Sequence, residues 1–464
     1  MNINTIAAIA TPRGSGGIAV IRISGPYAFD IGEKIFFLKS KKNYNSFADV
    51  PANTAVFGNI KEIDEGVAVK FKSPYSYTGE DTVEISCHGG IYVTNAVLNA
   101  VLETGARLAE PGEFTKTAYL NGKISLTGAE AVGRLISAAN ETSAKVASAQ
   151  SKGGLSKKIN IISDKIKDII SEIYVFIDYP GEDLTDMTSD TMLEKLILIK
   201  TELENLKETY NIGRIISDGI DCAIIGKPNA GKSTVLNMLS RDDIAIVHDT
   251  PGTTRDIIYS RVNLGGFVLN LYDTAGIRTS DDEIETMGIE KALEKINKCG
   301  LIIGVFDISE EFNKDDYNIL EILKKEKVGG KKIITVLNKA DLLKKREIYL
   351  DGFEPLKISA KNNTVSDSDI SAYNAFEKCL DDIYKPGGYD LDSGEILTEE
   401  RQYFEICAAC GELNAAISAL ENGYSQDISG LDLELAVKNL DRCDSKSVSE
   451  DIVARIFKNF CVGK

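Results

Sequence analysis

The chain has 464 residues, 43% hydrophobic and 27% charged, which is more material than one hydrophobic core organises and too apolar for a disordered chain. Its 70 acidic residues outweigh 53 basic ones and leave a net charge of −17, which argues against non-specific nucleic-acid binding, a process that needs Lys and Arg to displace phosphate counterions. No apolar run is long enough to cross a bilayer, the start at Met1 and Asn2 lacks a secretion signal, and the 8 cysteines are too scattered for a disulfide framework. The expectation is a multidomain cytoplasmic protein with no membrane partner.

Residues 1–121 read as an α+β domain, because short β-rich runs at 18–23 and 82–86 alternate with glycine-rich turns. Apolar residues then recur at helical spacing over 128–176 and 192–209, with a turn-rich stretch at 179–183 between them. Residues 122–214 are therefore expected to begin a helical bundle domain. Strands and helices alternate through 215–384, where short apolar runs at 222–225, 267–272, 301–306 and 332–337 suit the buried parallel strands of a doubly wound α/β domain. Past a linker at 385–389, helical periodicity returns over 398–460. Residues 385–464 are expected to complete the helical domain, into which the α/β domain is inserted. Cys407 and Cys410 form a Cys-x-x-Cys spacing with no second pair and no histidine nearby, so they read as core thiols rather than a zinc or redox site.

The run Gly226, Lys227, Pro228, Asn229, Ala230, Gly231, Lys232 and Ser233 follows an apolar strand and opens a helical stretch at Thr234, which is the setting of a P-loop. Glycines there let backbone N–H groups wrap phosphates, and the helix N-terminus favours their charge. Lys232 reaches the β- and γ-phosphates, and the Ser233 hydroxyl can ligate Mg2+. Farther on come Thr253 and Thr254, then Asp273, Thr274, Ala275 and Gly276 at a strand end, then Asn338, Lys339 and Asp341 after another strand, then Ser359, Ala360 and Lys361. That order is the order of a Ras-like GTPase. Asp341 can accept from guanine N1 and the exocyclic amine, a donor pair that adenine lacks, and a site built to pair such groups rejects analogues strongly. Thr254 is the candidate second Mg2+ ligand, and Asp273 would hold the metal through its water shell. Gly276 is followed by Ile277, which offers water no hydrogen bond, where Ras-like enzymes carry a glutamine. Another group must position the nucleophile; the carboxylates within 278–285 are candidates and read equally as a solvated acidic loop.

The segments 226–234 and 251–256 look like those of translation-factor-related GTPases that act on RNA. The segments 11–17, 21–25, 77–81, 87–90, 111–114, 120–123 and 460–464, as a set, resemble the TrmE (MnmE) family of tRNA modification GTPases from one terminus to the other. The resemblance implies an N-terminal domain similar to the tetrahydrofolate-binding aminomethyltransferases, a helical domain and an inserted P-loop GTPase domain. It implies a homodimer formed through the N-terminal domain and an FAD-dependent partner, MnmG (GidA), in a heterotetramer. Together these add a carboxymethylaminomethyl or aminomethyl group to C5 of the wobble uridine of tRNA. The GTPase domains of the family pair across a K+-dependent interface. By position in matching motifs, Asn229 and the segment His248, Asp249, Thr250, Pro251, Gly252 and Thr253 would hold K+, with Asn229, His248, Thr250 and Thr253 as ligands, while Glu285 would orient the attacking water. Arg22, Glu84, Lys123 and Lys464 match contacts to a tetrahydrofolate derivative, either 5-formyl or 5,10-methylene, and Cys461 matches the family's C-terminal cysteine. Read from their residues alone, Arg22 and Glu84 sit in strand-like runs as a salt bridge or a solvated face. An RNA-binding ribosome-assembly GTPase would leave both terminal motif sets unused. A folate-dependent methyltransferase with a vestigial GTPase domain conflicts with the intact Lys232, Ser233, Asp273 and Asp341.

Overall fold

Ala19, Ile21 and Ile23 are buried while Ile18, Val20 and Arg22 are not, so the run Ile18–Ser24 alternates as a strand covered on one face must. A computed structural model describes this and the rest of residues 5–178, 189–240, 260–273, 296–297, 299–342, 348–366, 368–384, 390–444, 450–458, 460 and 462–463. The first sheet comprises β1 (Ile6–Ile9), β2 (Ile18–Ser24), β3 (Phe36–Leu38), β4 (Val56–Ile60), β5 (Asp64–Phe71), β6 (Thr82–His88) and β7 (Arg107–Leu108). Their order is β3-β4-β5-β6-β2-β1-β7, antiparallel except for the β1–β7 pair. Helices α1 (Ala28–Ile35) and α2 (Ile91–Glu103) bring Ile31, Ile35, Val97 and Val101 into one core with Ile21, Ile23 and Ile85. Phe114, in α3 (Glu113–Leu120), packs instead with Ile6 and Ala8, which alternate with the core residue Ala7 along β1.

The helical stretch expected at 128–176 is divided among α4 (Leu126–Ser137), α5 (Glu141–Ser151) and α6 (Gly154–Asp178). Apolar period alone does not show these breaks, which are local. Asn140 accepts from Ser143 N at 2.7 Å, the bond that starts α5, and Gly153 has φ +91, a left-handed backbone that stops it. Helix α7 (Ser189–Asp218) is longer than its expected 192–209.

The second sheet holds β8 (Ile220–Ile225), β9 (Ser260–Leu264), β10 (Phe267–Asp273), β11 (Leu301–Asp307), β12 (Lys332–Asn338), β13 (Leu356–Ser359), β14 (Thr364–Val365) and β15 (Ser368–Ser371). Strands β10, β8, β11, β12 and β13 are parallel neighbours; β9 and the β14–β15 end are antiparallel. Successive residues of β8 enter opposite cores, Cys222 and Ile224 one and Ala223 and Ile225 the other, as expected for a sheet buried on both faces. Helices α8 (Lys232–Ser240), α9 (Lys314–Val328) and α10 (Ala372–Tyr384) alternate with these strands. The chain continues through α11 (Glu400–Glu421), α12 (Gln426–Asp444) and α13 (Glu450–Lys458). In α11 Cys410 is buried and Cys407 half-buried. Among the described residues no helix is long and apolar enough to cross a membrane.

By their internal contacts the residues divide into two compact units. One joins Met1–Gly133, Ser148–Glu204 and Phe404–Lys464. In it the end of the chain returns to the first sheet's surroundings: Pro111 and Val462 form a β-bridge, and Phe457 packs with Tyr119, Leu126 and Ala129. The other joins Arg134–Ala147 and Asn205–Tyr403. Within it Arg134 binds Glu399 through Nε at 2.5 Å and Asp218 through Nη1 at 2.5 Å, and Tyr210 stacks on Tyr403 with centroids 4.5 Å apart.

Candidate functional site

Because β8, β10, β12 and β13 run parallel, the loops that follow them leave the sheet at the same edge. The loop after β8 carries Gly226 to Gly231, β10 ends on Asp273, β12 ends on Asn338 and β13 on Ser359. After β8 the chain passes first to one side of that strand and later, at β11, to the other. This places the phosphate loop at a topological switch point, where open α/β sheets bind their ligands.

Two glycines permit the loop's path. A Cβ on Gly226 would strike Val305 O, and one on Gly231, whose φ is +94, would strike Asn338 Nδ2. Asn229 also has a left-handed φ of 64, an arrangement that turns successive N–H groups toward a common point. Lys232 opens α8 and folds back over the loop, its Nζ donating to Gly226 O at 2.7 Å and Lys227 O at 2.9 Å. Ser233 and Thr234 are exposed on the helix's first turn, as are Asn229 in the loop and Lys361 beyond β13.

The buried amide of Asn338 ties two loops together: Nδ2 donates to Ala230 O at 3.1 Å and Oδ1 accepts from Ala360 N at 3.1 Å. Ala230 and Ala360 are both buried, so these bonds are made away from water, where leaving them unmade would be costly. Asp341 is exposed in the 3-10 turn Ala340–Leu342, next to Lys339, whose Nζ donates to Asp307 Oδ2 at 2.5 Å. Burial alone would raise the Asp307 carboxyl, but the bonds from Lys339 and Ser309 outweigh it and hold the group below the usual carboxylate range. Among the described residues Ser359 Oγ, at the end of β13 just before Ala360 and Lys361, is a buried hydroxyl without a hydrogen-bond partner. Glycine cradles and this buried hydroxyl, at the sheet edge where the described loops after β8, β12 and β13 meet, fit a nucleotide.

A second cluster lies on the first sheet. Arg22 and Glu84 are directly paired across β2 and β6, and Arg22 Nε meets Glu84 Oε1 at 2.8 Å. The guanidinium carbon stands 5.4 Å from the Tyr77 ring centre and 5.6 Å from that of Phe114, within cation–π range. Tyr77 OH and Thr115 Oγ1 are 2.9 Å apart. Lys123 is exposed and donates from Nζ to Pro74 O at 2.9 Å, while neighbouring Asn121 donates to Thr78 O at 2.7 Å. The segment 74–80 thus meets Lys123 at one end and Arg22, through Tyr77, at its middle. The ion pair engages Glu84 Oε1, Phe114 is buried, and Tyr77 keeps part of its ring exposed, so among the described residues Glu84 Oε2 and the Tyr77 face are what the cluster can offer a planar heteroaromatic ring bearing N–H donors. Tyr77 and Phe114 belong to the sequence motifs at 77–81 and 111–114, and their approach to Arg22 comes from the fold rather than from the motifs.

Outside the described residues lie His248, Asp249, Thr250, Pro251, Gly252, Thr253, Thr254, Thr274, Ala275, Gly276, Glu285, Cys461 and Lys464. The expected K+ ligands other than Asn229, the water-orienting carboxylate, the second Mg2+ ligand and the terminal folate contact are among them.

Two family models match: "GTP-binding protein TrmE N-terminus" over residues 5–123 and "MnmE helical domain" over 126–461. Among curated relatives, the tRNA modification GTPase MnmE of Acetivibrio thermocellus is 38% identical, over 99% of each chain. That of Clostridioides difficile (strain 630) is 39% identical over 99% of each, and that of Thermoanaerobacter pseudethanolicus 40% over the whole of both.

Proposed function

The chain belongs to the TrmE (MnmE) family of tRNA modification GTPases, and on that premise we propose that it couples GTP hydrolysis to modification of C5 of the wobble uridine of tRNA. The observation that carries the GTPase reading is the convergence of the 226–233 loop, Asn338, Asp341 and Ala360 at one edge of a parallel sheet, with Asn338 bonded to both neighbouring loops. Lys232 leaves the Gly226 and Lys227 carbonyls to meet the β- and γ-phosphates, Ser233 with Thr254 would hold Mg2+, and Asp341 reads the guanine edge. Ile277, which follows Gly276, offers water no hydrogen bond, so Glu285 orients it; Asn229, His248, Thr250 and Thr253 would hold K+, whose charge would offset that developing on the phosphates as two GTPase domains pair.

The added group is carboxymethylaminomethyl or aminomethyl, and a tetrahydrofolate derivative supplies the one-carbon unit when bound. Glu84 pairs with pterin donors through its free oxygen, Arg22 holds Glu84 in place, and Lys123 with Lys464 attracts the ligand's polar rim. The bridge of Pro111 to Val462 supports a composite site, because it returns the chain's last residues to the unit that carries Arg22. The organisation we propose is a folate-binding and dimerising domain at 1–121, a helical domain at 122–214 and 385–464, and a GTPase domain at 215–384 inserted between them. A cytoplasmic homodimer joins the FAD-dependent partner MnmG in a heterotetramer. The wobble-uridine nucleoside profile of tRNA from cells lacking the protein tests the function. Loss of the C5-modified nucleosides is expected; an unchanged profile with defective ribosome assembly would move the reading to an RNA-binding switch.

A further inference from the structure

Two buried carboxylates stand at the ends of the connection 307–316, which leads from β11 into the first turn of α9. Asp307, 1% exposed, accepts from Lys339 Nζ at 2.5 Å and from Ser309 N and Oγ at 2.9 and 2.6 Å. Asp316, 0% exposed, accepts from Lys227 Nζ at 2.9 Å and from Asn313 N at 3.0 Å. Lys227 belongs to the phosphate loop and Lys339 to the base-reading loop. One short connection therefore grips both halves of the nucleotide site.

We propose that Asp316 and Asp307 are positioning residues of that site: Asp316 sets the phosphate loop through Lys227, and Asp307 sets the base-reading turn through Lys339. The inference rests on the GTPase reading above. Lys227 is 7% exposed, and its carbonyl accepts from Lys232 Nζ at 2.9 Å and from Ala230 N at 3.3 Å. Pinning its ammonium fixes the carbonyl that holds Lys232 and closes the loop's turn. Without Asp316 the ammonium would be a buried charge whose other carboxylate, Glu310, is 3.6 Å away and largely exposed, so it must move toward water and draw the loop backbone with it. At the other end, Lys339 has φ 66, a conformation costly for lysine that persists only when its surroundings hold it. Its carbonyl accepts from Leu342 N at 3.0 Å, closing the turn that contains Asp341. Releasing the Lys339 side chain lets that turn relax, and Asp341 moves with it.

The two carboxylates thus predict different losses, which simple braces of the fold would not. In the full chain, equilibrium titrations with GTP, GDP and ITP, whose base lacks the exocyclic amine, separate them. Asp316→Asn should weaken all three together, by roughly 10 to 100-fold as is usual for a group that orients a binding group, with the GTP-to-ITP ratio kept. Asp307→Asn should lower the GTP-to-ITP ratio and weaken ITP less. Lys227→Arg, which keeps an ion pair, should retain most affinity. If either Asn variant fails to fold, Lys227→Met and Asp307→Ser remove the same ion pairs and are read the same way. Variants that change only the melting temperature, or an Asp307 variant with the wild-type ratio, would overturn the proposal. Wild-type protein that binds GTP and ITP equally would instead refute the reading of the base site.

Discussion

Asn338 donates at one end of its amide and accepts at the other, which is why it can join Ala230 O to Ala360 N, whereas an aspartate of the same size would leave Ala230 O without a donor. Asp341 works by the opposite logic. Its exposed carboxylate only accepts, and guanine offers it two donors. Asp341→Asn should therefore weaken GTP binding and improve xanthosine-triphosphate binding, because the new amide donates to the xanthine C2 carbonyl; competition titrations in which both nucleotides lose affinity equally would refute the role. Glu113 carries a pH prediction. It accepts from Arg107 and from Glu110 N at 2.8 Å, and although burial pushes its carboxyl up, these bonds outweigh that and lower it. A carboxyl with a depressed folded value contributes stability above its unfolded pKa, about 4.3, and loses it as pH falls toward the folded value. Glu113→Gln should thus be less stable than wild type at pH 7, with the gap closing below about pH 4 in denaturant titrations; a gap independent of pH would exclude the ionic contribution.

At the level of elements, the phosphate loop depends on how closely β8 and β11 approach. Gly226 follows Ile225, the last residue of β8, which is paired in register with Gly304 of β11, and a Cβ on Gly226 would strike the carbonyl oxygen of the next β11 residue, Val305. The carbonyl belongs to a buried parallel strand that cannot yield alone. Gly226→Ala should cost about 1–3 kcal/mol of stability by overpacking and abolish tight GTP binding, measured by unfolding and by titration; undiminished GTP affinity would mean the loop adjusts freely. Helix boundaries show the same dependence on local chemistry. The apolar spacing over 128–176 is satisfied by three helices as well as by one, and only Asn140 and Gly153 break it. Likewise the α9 start is set by a capping box, Asn313 with Asp316, and Asp316 serves Lys227 as well.

For the whole molecule, GTP turnover should be faster in K+ than in Na+ and rise with protein concentration as GTPase domains pair. A cation in the place of an arginine finger would supply part of a roughly 10³ to 10⁵-fold acceleration. Glu285→Ala should keep GTP affinity yet lose most turnover, the pattern of a group that acts mainly in the transition state. Turnover unchanged by that substitution would return Glu285 to the solvated acidic loop. The order of motifs from Gly226 to Lys361 is readable along the chain, because phosphates, metal and base each demand a residue type at a set distance from a strand end. Family membership, the parallel strands and the helical regions follow from the same one-dimensional pattern. Partnership between distant charges does not. Asp307 and Lys339 are 32 positions apart, and they meet because β11 and β12 run parallel with Asp307 opposite Asn338. Lys227 and Asp316 are 89 positions apart, and Arg22 and Glu84, 62 apart, pair through the register of β2 and β6. Any of several carboxylates satisfies a lysine or arginine equally well by charge, so the choice belongs to strand register and to burial, which makes an unpaired charge too costly to leave.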